Sequence, residues 1–332
     1  MLAKRIANLQ FLKTYIESNH DDWKLAKELA ERANGWFTQQ FIEHACEQIS
    51  QVFLDEEKLN LFADNIHYVH DVQSKKNIGL TMAGNIPLVG FHDLLCCYLS
   101  GHYVRIKMSS KDNILLTHLL QKLYEHDDEA KQDIQISEML KACDVYIATG
   151  SNSSAQYFEK YFAKYPHIIR KNRTSIAVLN GKETPENLEN LADDVYIYFG
   201  LGCRNVTKVY VPQGYNFEPM LNAFRKYDEL KNHNKYRNNI DYHLAIYMLN
   251  NQYYMSNESI MMVENSSLFS PIGVLHYEFY DNEEDLDFSE QANDIQVIVG
   301  NNYAKMGSSQ QPSLIDYADG MNTIDFLNSL SR

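Results

Sequence analysis

Residues 77–93 read Asn77-Ile78-Gly79-Leu80-Thr81-Met82-Ala83-Gly84-Asn85-Ile86-Pro87-Leu88-Val89-Gly90-Phe91-His92-Asp93. The run 77–83 is β-prone, Gly84 permits a tight turn, and Pro87 suits the first turn of a following helix. The same texture recurs at 103–107, 144–148 and 175–179, with helical patterns at 113–124 and 153–165 between these runs. Strands alternating with helices predict a parallel sheet covered on both faces, the arrangement of a cofactor domain. Before this block, residues 2–62 form a helical lead-in with apolar residues at helical spacing, such as Leu25, Leu29 and Ala33. After it come β-prone runs at 207–211, 259–263, 274–279 and 295–299, with helical patterns at 218–227 and 239–249. The chain of 332 residues is thus expected to divide into 1–180, the lead-in with the cofactor domain, and 181–332, a second domain.

Composition narrows the function. Hydrophobic residues make up 45% and charged residues 22%, values of an ordinary folded chain, and the net charge of -14 opposes nucleic acid as a main partner. Residues 1–17 carry Lys4, Arg5 and Lys13 without an unbroken apolar run, so they do not read as a secretory signal. The most apolar stretch, 86–99, is too short for a bilayer and contains His92 and Asp93. Cys46, Cys96, Cys97, Cys143 and Cys203 are odd in number and lack C-x-x-C spacing, which predicts neither a disulfide framework nor a metal site and fits a reducing cytoplasm. The acidic run 281–287 reads as a solvated loop, and the 23 tyrosines as scattered packing residues.

Four places carry residues suited to chemistry. In the Gly84 turn, Asn85 holds a side-chain amide at a helix mouth, where it can donate to an oxyanion or serve as a plain N-cap. Thr149-Gly150-Ser151-Asn152-Ser153-Ser154 follows a strand and opens a helix, so its backbone N–H groups can approach a pyrophosphate; it equally fits a helix-capping serine cluster. Lys107 closes the intervening strand ahead of Met108 and Ser109, within reach of a ribose hydroxyl or a 2′-phosphate. Finally, Cys203 stands in Gly200-Leu201-Gly202-Cys203-Arg204, where flanking glycines open the backbone to a substrate and Arg204 can lower the thiol pKa. A cysteine is otherwise commonly a small buried hydrophobe, the reading that applies to the other four. Walker-type and dinucleotide glycine fingerprints are absent from the sequence.

Taken in order, residues 83–93, Thr149-Gly150-Ser151, the 200–208 segment around Cys203 and Gln311-Pro312-Ser313-Leu314-Ile315-Asp316-Tyr317-Ala318-Asp319 resemble the acyl-CoA reductase family. That family includes the fatty-acid reductase of bacterial luminescence and belongs to the aldehyde dehydrogenase superfamily. The resemblance runs from 77 to 330 and does not reach the helical lead-in. It implies an α/β, aldehyde dehydrogenase-like fold: a Rossmann-type cofactor domain and an α/β catalytic domain with the active site in the cleft between them. By the same resemblance Cys203 is the acylated nucleophile and Asn85 joins the Cys203 backbone N–H in an oxyanion hole. Lys107 and Ser109 hold the adenosine ribose of NADP(H), and Gly150 and Ser151 its phosphates.

The pattern departs from the superfamily at three points. Asn152 and Ala155 break the Gly-Ser-Thr-x-x-Gly turn, and Ser267 replaces a carboxylate before Phe269-Ser270-Pro271, which resembles a Phe-Gly-Pro segment near the nicotinamide ribose. Val178-Leu179-Asn180-Gly181-Lys182 resembles Glu-Leu-Gly-Gly-Lys, with Val178 where oxidising members carry a glutamate base. Loss of that base would protect a thioester from hydrolysis until hydride arrives. The resemblance therefore implies a cytoplasmic, NADPH-dependent reductase turning an acyl-CoA or acyl-protein thioester into an aldehyde, with self-association possible; His92 and His167 are proton-donor candidates by residue type, each otherwise a structural or surface histidine. An acyltransferase or thioesterase, or a non-reducing acyl-binding partner protein, using the same cysteine remains the alternative.

Overall fold

In the computed structural model, which describes residues 1–18 and 20–330, the chain forms two units: Met1–Asn172 with Pro312–Arg332, and Arg173–Gln311. The second unit is therefore an insertion in the first. The division falls at Asn172 and not at the expected 180, because the strand Thr174–Val178 pairs with the second unit's sheet. The expected assignment of 312–332 to the second domain is likewise replaced.

The first unit opens with four helices, α1 (Leu2–Glu17), α2 (Asp21–Ala33), α3 (Gln39–Gln48) and α4 (Glu56–Ala63), as the lead-in predicts. Thr38 caps α3 by accepting from the Phe41 N–H at 3.3 Å, and Asp55 caps α4 by accepting from the Lys58 N–H at 3.0 Å. Next come β1 (Asn77–Thr81), α5 (Phe91–Leu99), β2 (Tyr103–Lys107), α6 (Ile114–His126), α7 (Ala130–Asp133), β3 (Ile134–Ile136), β4 (Val145–Thr149), α8 (Asn152–Phe162) and β5 (His167–Arg170). The strands form one parallel sheet in the order β3-β2-β1-β4-β5. Chain order runs outward in one direction from β1 and in the other from β4, so the topological switch point lies between these two strands. Trp23, Ile42, Leu54 and Leu59 of the lead-in share one apolar core with Ile78, Leu80, Val104 and Ile106 of the sheet. The lead-in is thus a layer of the first unit.

The same core takes Leu314, Ile324 and Leu327 from the returning segment. That return is fixed by Arg170 at the end of β5, which is 1% exposed. Its guanidinium donates to both carboxylate oxygens of Asp93 on α5, at 3.1 and 2.8 Å, to Thr323 Oγ1 at 2.8 Å, and to the Ala318 carbonyl.

The second unit contains β6 (Thr174–Val178), α9 (Pro185–Tyr196), β7 (Val206–Pro212), α10 (Glu218–Ala223), α11 (Asn234–Leu249), β8 (Met255–Ser256), β9 (Met261–Glu264), β10 (Val274–Tyr280) and β11 (Ile295–Gly300). Its sheet runs β11-β6-β7-β10-β9-β8, parallel except for the β8–β9 pair. A capping box between Thr184 and Asn187, with Pro185 at the first helical position, starts α9.

The Arg170–Asp93 pair yields a stability prediction. Burial alone would raise the Asp93 carboxyl, but the Arg170 charge and hydrogen bonds hold it below the ordinary value. A depressed folded-state pKa contributes stability that is complete above the unfolded value and disappears as pH falls through the folded one. Asp93→Ala, which leaves the guanidinium buried without a counter-charge, is expected to cost about 3–5 kcal/mol in urea unfolding at pH 7. The gap between wild type and variant is expected to close in strong acid.

Candidate active site

In the first unit, the sequence-predicted residues gather at the carboxyl ends of β2, β1 and β4, which are adjacent strands. Lys107 is the last residue of β2 and is exposed. The Gly84 turn packs against Ser109: a Cβ on Gly84 would lie 2.5 Å from Ser109 Oγ. Gly150 is similarly confined, with Ser154 Cβ 2.8 Å from the site of an added Cβ. Ser151 caps α8, its Oγ accepting from the Ser154 N–H at 3.3 Å. The serine-cap reading therefore holds here, and it is compatible with an anion at the same helix end, because the first backbone N–H groups of a helix lack intrahelical partners. This edge presents the first backbone N–H groups of α8 and the exposed Lys107, while Ser109 and Ser154 fill the space that a side chain at position 84 or 150 would need.

The turn after β1 departs from expectation. Asn85 is exposed and does not cap α5; Gly90 occupies the N-cap, and Pro87 lies before the helix. The cause is Leu88, whose φ of 55° is left-handed and interrupts the helical path. Asp112 holds that conformation by accepting the Leu88 N–H at 2.7 Å, while its other oxygen, Oδ1, is buried with no hydrogen-bond partner. Burial raises the Asp112 carboxyl to about 7, with the Leu88 N–H opposing the rise.

In the second unit, Cys203 lies in the turn between α9 and β7. Tyr198, Phe199 and Gly200 have φ of 58°, 57° and 74°, all left-handed. For the two aromatic residues this conformation costs of order 1–2 kcal/mol each. It is offset by packing: the Phe199 ring, 1% exposed, lies 4.5 Å from the His233 ring and 5.5 Å from the Tyr236 ring. Asn205, fully buried, fastens the turn. Its Oδ1 accepts the Gly202 N–H at 2.8 Å, and its Nδ2 lies 3.1, 3.3 and 2.8 Å from the carbonyls of Asp194, Val195 and Ile197. The Asp194 carboxylate accepts the N–H groups of Gly307 and Ser309 at 2.6 and 2.9 Å, and burial raises it to about 6 against those bonds.

Cys203 is half-buried, whereas the other four cysteines are buried. Desolvation pushes the Cys46 thiol up to about 12, those of Cys96 and Cys97 well above the ordinary value, and that of Cys143 upward. Such thiols are poor nucleophiles. Arg204 is half-buried.

Val178 requires a correction. The Cys203 carbonyl is bound at Ser175, at the amino end of β6. Val178 is three residues farther along the strand, roughly 10 Å away. It is 2% exposed and packs with Ile176, Tyr210, Leu268, Tyr280 and Ile295. Its aliphatic character follows from that packing and says nothing about a base acting at Cys203. His92 and His167 are both held in the first unit's framework: His92 Nε2 lies 2.9 Å from the Leu314 carbonyl, and His167 Nδ1 lies 2.8 Å from the Tyr165 carbonyl. Sequence reading missed Asn205 and Asp112, single polar residues without a motif. Among the described residues no cluster of metal-ligating side chains occurs, and no helix is long and apolar enough to cross a membrane.

Asn205→Ala is expected to lower stability by about 2 kcal/mol or more, since it strands several buried backbone groups. Denaturant unfolding monitored by fluorescence measures this.

The profile of the acyl-CoA reductase (LuxC) family matches residues 4–263, including the helical lead-in that motif resemblance alone did not reach. No curated protein sequence matches the chain. Among solved structures, the Pseudomonas syringae indole-3-acetaldehyde dehydrogenase AldA, in complex with NAD+ and IAA, is 13% identical with a TM-score of 0.66, covering 93% of this chain and 74% of its own. Betaine aldehyde dehydrogenase from Staphylococcus aureus is 12% identical with a TM-score of 0.67, covering 93% and 73%. A Mycobacterium tuberculosis aldehyde dehydrogenase complexed with NAD+ is 14% identical with a TM-score of 0.63, covering 86% and 69%. At these identities the likeness is one of fold.

Proposed function

The chain belongs to the acyl-CoA reductase (LuxC) family, and from that premise we propose that it reduces an acyl-CoA thioester to an aldehyde, using NADPH and a covalent acyl intermediate on Cys203. The observation that carries the reading is the contrast among the cysteines: Cys203 is half-buried in a turn strained at Tyr198 and Phe199, while the other four are buried and their thiols shifted upward. A sulfur that has to meet a substrate carbonyl needs access and a fixed backbone.

In this reading the Cys203 thiolate attacks the thioester carbonyl, and the carbonyl electrons move onto oxygen. The Cys203 backbone N–H stabilises that oxyanion. The oxyanion then collapses and expels the CoA thiolate, leaving the acyl group on Cys203. Lys107 and Ser109 hold the adenosine ribose of the dinucleotide, and Gly150, Ser151 and the amino end of α8 hold its phosphates. When bound, NADPH supplies the hydride that reduces the acyl carbon. Expulsion of the Cys203 thiolate from the reduced adduct releases aldehyde, and one proton is taken up in the cycle.

The test is absorbance at 340 nm with purified protein, NADPH or NADH, and acyl-CoA thioesters of graded length, with the aldehyde trapped as a hydrazone. Cofactor consumption matched by aldehyde, and lost by at least 10³-fold in Cys203→Ala, is the expected result. Acylation of Cys203 without cofactor consumption would replace reduction by acyl transfer or carriage. Lys107→Ala is expected to raise KM for NADPH about tenfold or more while leaving the rate of Cys203 acylation within twofold, a separation that steady-state kinetics and intact-protein mass spectrometry measure.

A further inference from the structure

The amino ends of β6 and β7 carry three hydroxyls where an apolar sheet would ordinarily place aliphatic side chains. Ser175 is fully buried and Thr174 is 2% exposed, so each hydroxyl has to be hydrogen-bonded within the fold. Ser175 sits at an irregularity on both sides of β6: its pairing with β7 shifts register between Ser175 and Ile176, and the pairing with β11 shifts between Ile295 and Ile298. Its Oγ accepts the Val297 N–H at 3.2 Å and donates to the Cys203 carbonyl at 3.2 Å. Bulges of this kind re-aim the chain and are common beside active sites.

Thr174 Oγ1 lies 3.3 Å from the Asn205 carbonyl and 2.5 Å from Thr207 Oγ1, and Thr207 Oγ1 donates to the Leu268 carbonyl at 2.6 Å. Leu268 belongs to the connection 265–273 between β9 and β10, which is clamped at three successive carbonyls. Lys208 Nζ donates to Ser266 O at 2.8 Å, His276 Nδ1 to Ser267 O at 3.0 Å, and Thr207 to Leu268 O. Lys208 is fully buried, and Glu278 balances its charge.

We propose that Ser175, Thr174 and Thr207 are positioning residues for Cys203: Ser175 fixes the cysteine's own carbonyl, and the threonine pair ties the end of its turn to the clamped connection 265–273. This rests on the reading of Cys203 as the nucleophile. The brace acts on the backbone of the cysteine turn and touches no reacting atom. Its loss lets the sulfur wander from its line of attack while the sheet stays folded, which slows acyl transfer with little effect on thioester KM.

The experiment compares Ser175→Ala, Thr207→Val and Thr207→Ser with wild type, after circular dichroism and thermal unfolding have shown each to be folded. The rate of acyl transfer to Cys203 is followed by intact-protein mass spectrometry after rapid mixing with acyl-CoA. Ser175→Ala and Thr207→Val are expected to slow acylation at least tenfold with thioester KM within twofold, and Thr207→Ser to restore it to within twofold of wild type. Should Ser175→Ala not fold, the Thr207 pair decides alone. Acylation within twofold of wild type in either folded deletion variant overturns the proposal, as does a Thr207→Ser protein as slow as Thr207→Val. If wild type is never acylated, the functional reading fails instead, and the brace is judged by iodoacetamide alkylation at Cys203. A change of threefold or more in Thr207→Val, reversed in Thr207→Ser, supports it; equal rates overturn it.

Discussion

Arg170 carries a guanidinium into a position 1% exposed and spends its hydrogen bonds on three separated parts of the chain: Asp93, the Ala318 carbonyl and Thr323. A buried cation is tolerated only where geometry and counter-charge are both supplied, so α5, the end of β5 and the returning segment have to meet at that point. This meeting fixes where β5 ends, and the second unit begins three residues later at Arg173. It also seats α5, and the turn that leads into α5 carries Asn85.

Polar groups beneath the candidate site residues recur in both units. Asp112 holds a left-handed Leu88 in the turn of the first unit, and Asn205 holds the turn of Cys203 in the second. In each case one side chain, half-buried at Asp112 and fully buried at Asn205, accepts a backbone N–H that no helix or sheet would satisfy, and in each case the adjoining backbone is in a conformation that L-residues avoid. Strain of this kind persists only when the surroundings over-determine it. The exposed Asn85 and the half-buried Cys203 thus stand on rigid supports, the arrangement expected where orientation matters more than flexibility.

Much of this was legible in the sequence because it is local. A β-prone run followed by Gly84, or Thr149-Gly150-Ser151 ahead of a helical pattern, reports its own geometry, and Cys203 just after Gly200-Leu201-Gly202 reports its own access. What was not legible depends on partners far away in the chain. Asp93 and Arg170 look like ordinary surface charges until 77 residues of separation are closed. Ser175 reads as the start of a strand that in fact begins at Thr174, and nothing nearby shows that the two hydroxyls are committed to residues 203, 205 and 207. Val178 misled for the same reason: a short motif likeness outweighed burial, and burial is visible only when Tyr210 and Tyr280 are brought beside it. The start of α5 was misplaced because one left-handed residue, Leu88, has no marker in its side chain.

The insertion of residues 173–311 between the two segments of the first unit also sets an order of assembly during synthesis. Domains usually fold as they emerge, amino-terminal first. Here the amino-terminal residues leave the ribosome before Leu314, Ile324 and Leu327 exist to complete their core, and before Thr323 and the Ala318 carbonyl exist to receive Arg170. The inserted unit is contiguous, so it has every residue of its own sheet by Gly300, while the older unit still waits. The unit that carries Cys203 is therefore the first able to reach its native state, and the nascent helical layer passes through a period of exposed apolar surface in which chaperones have their opportunity to bind.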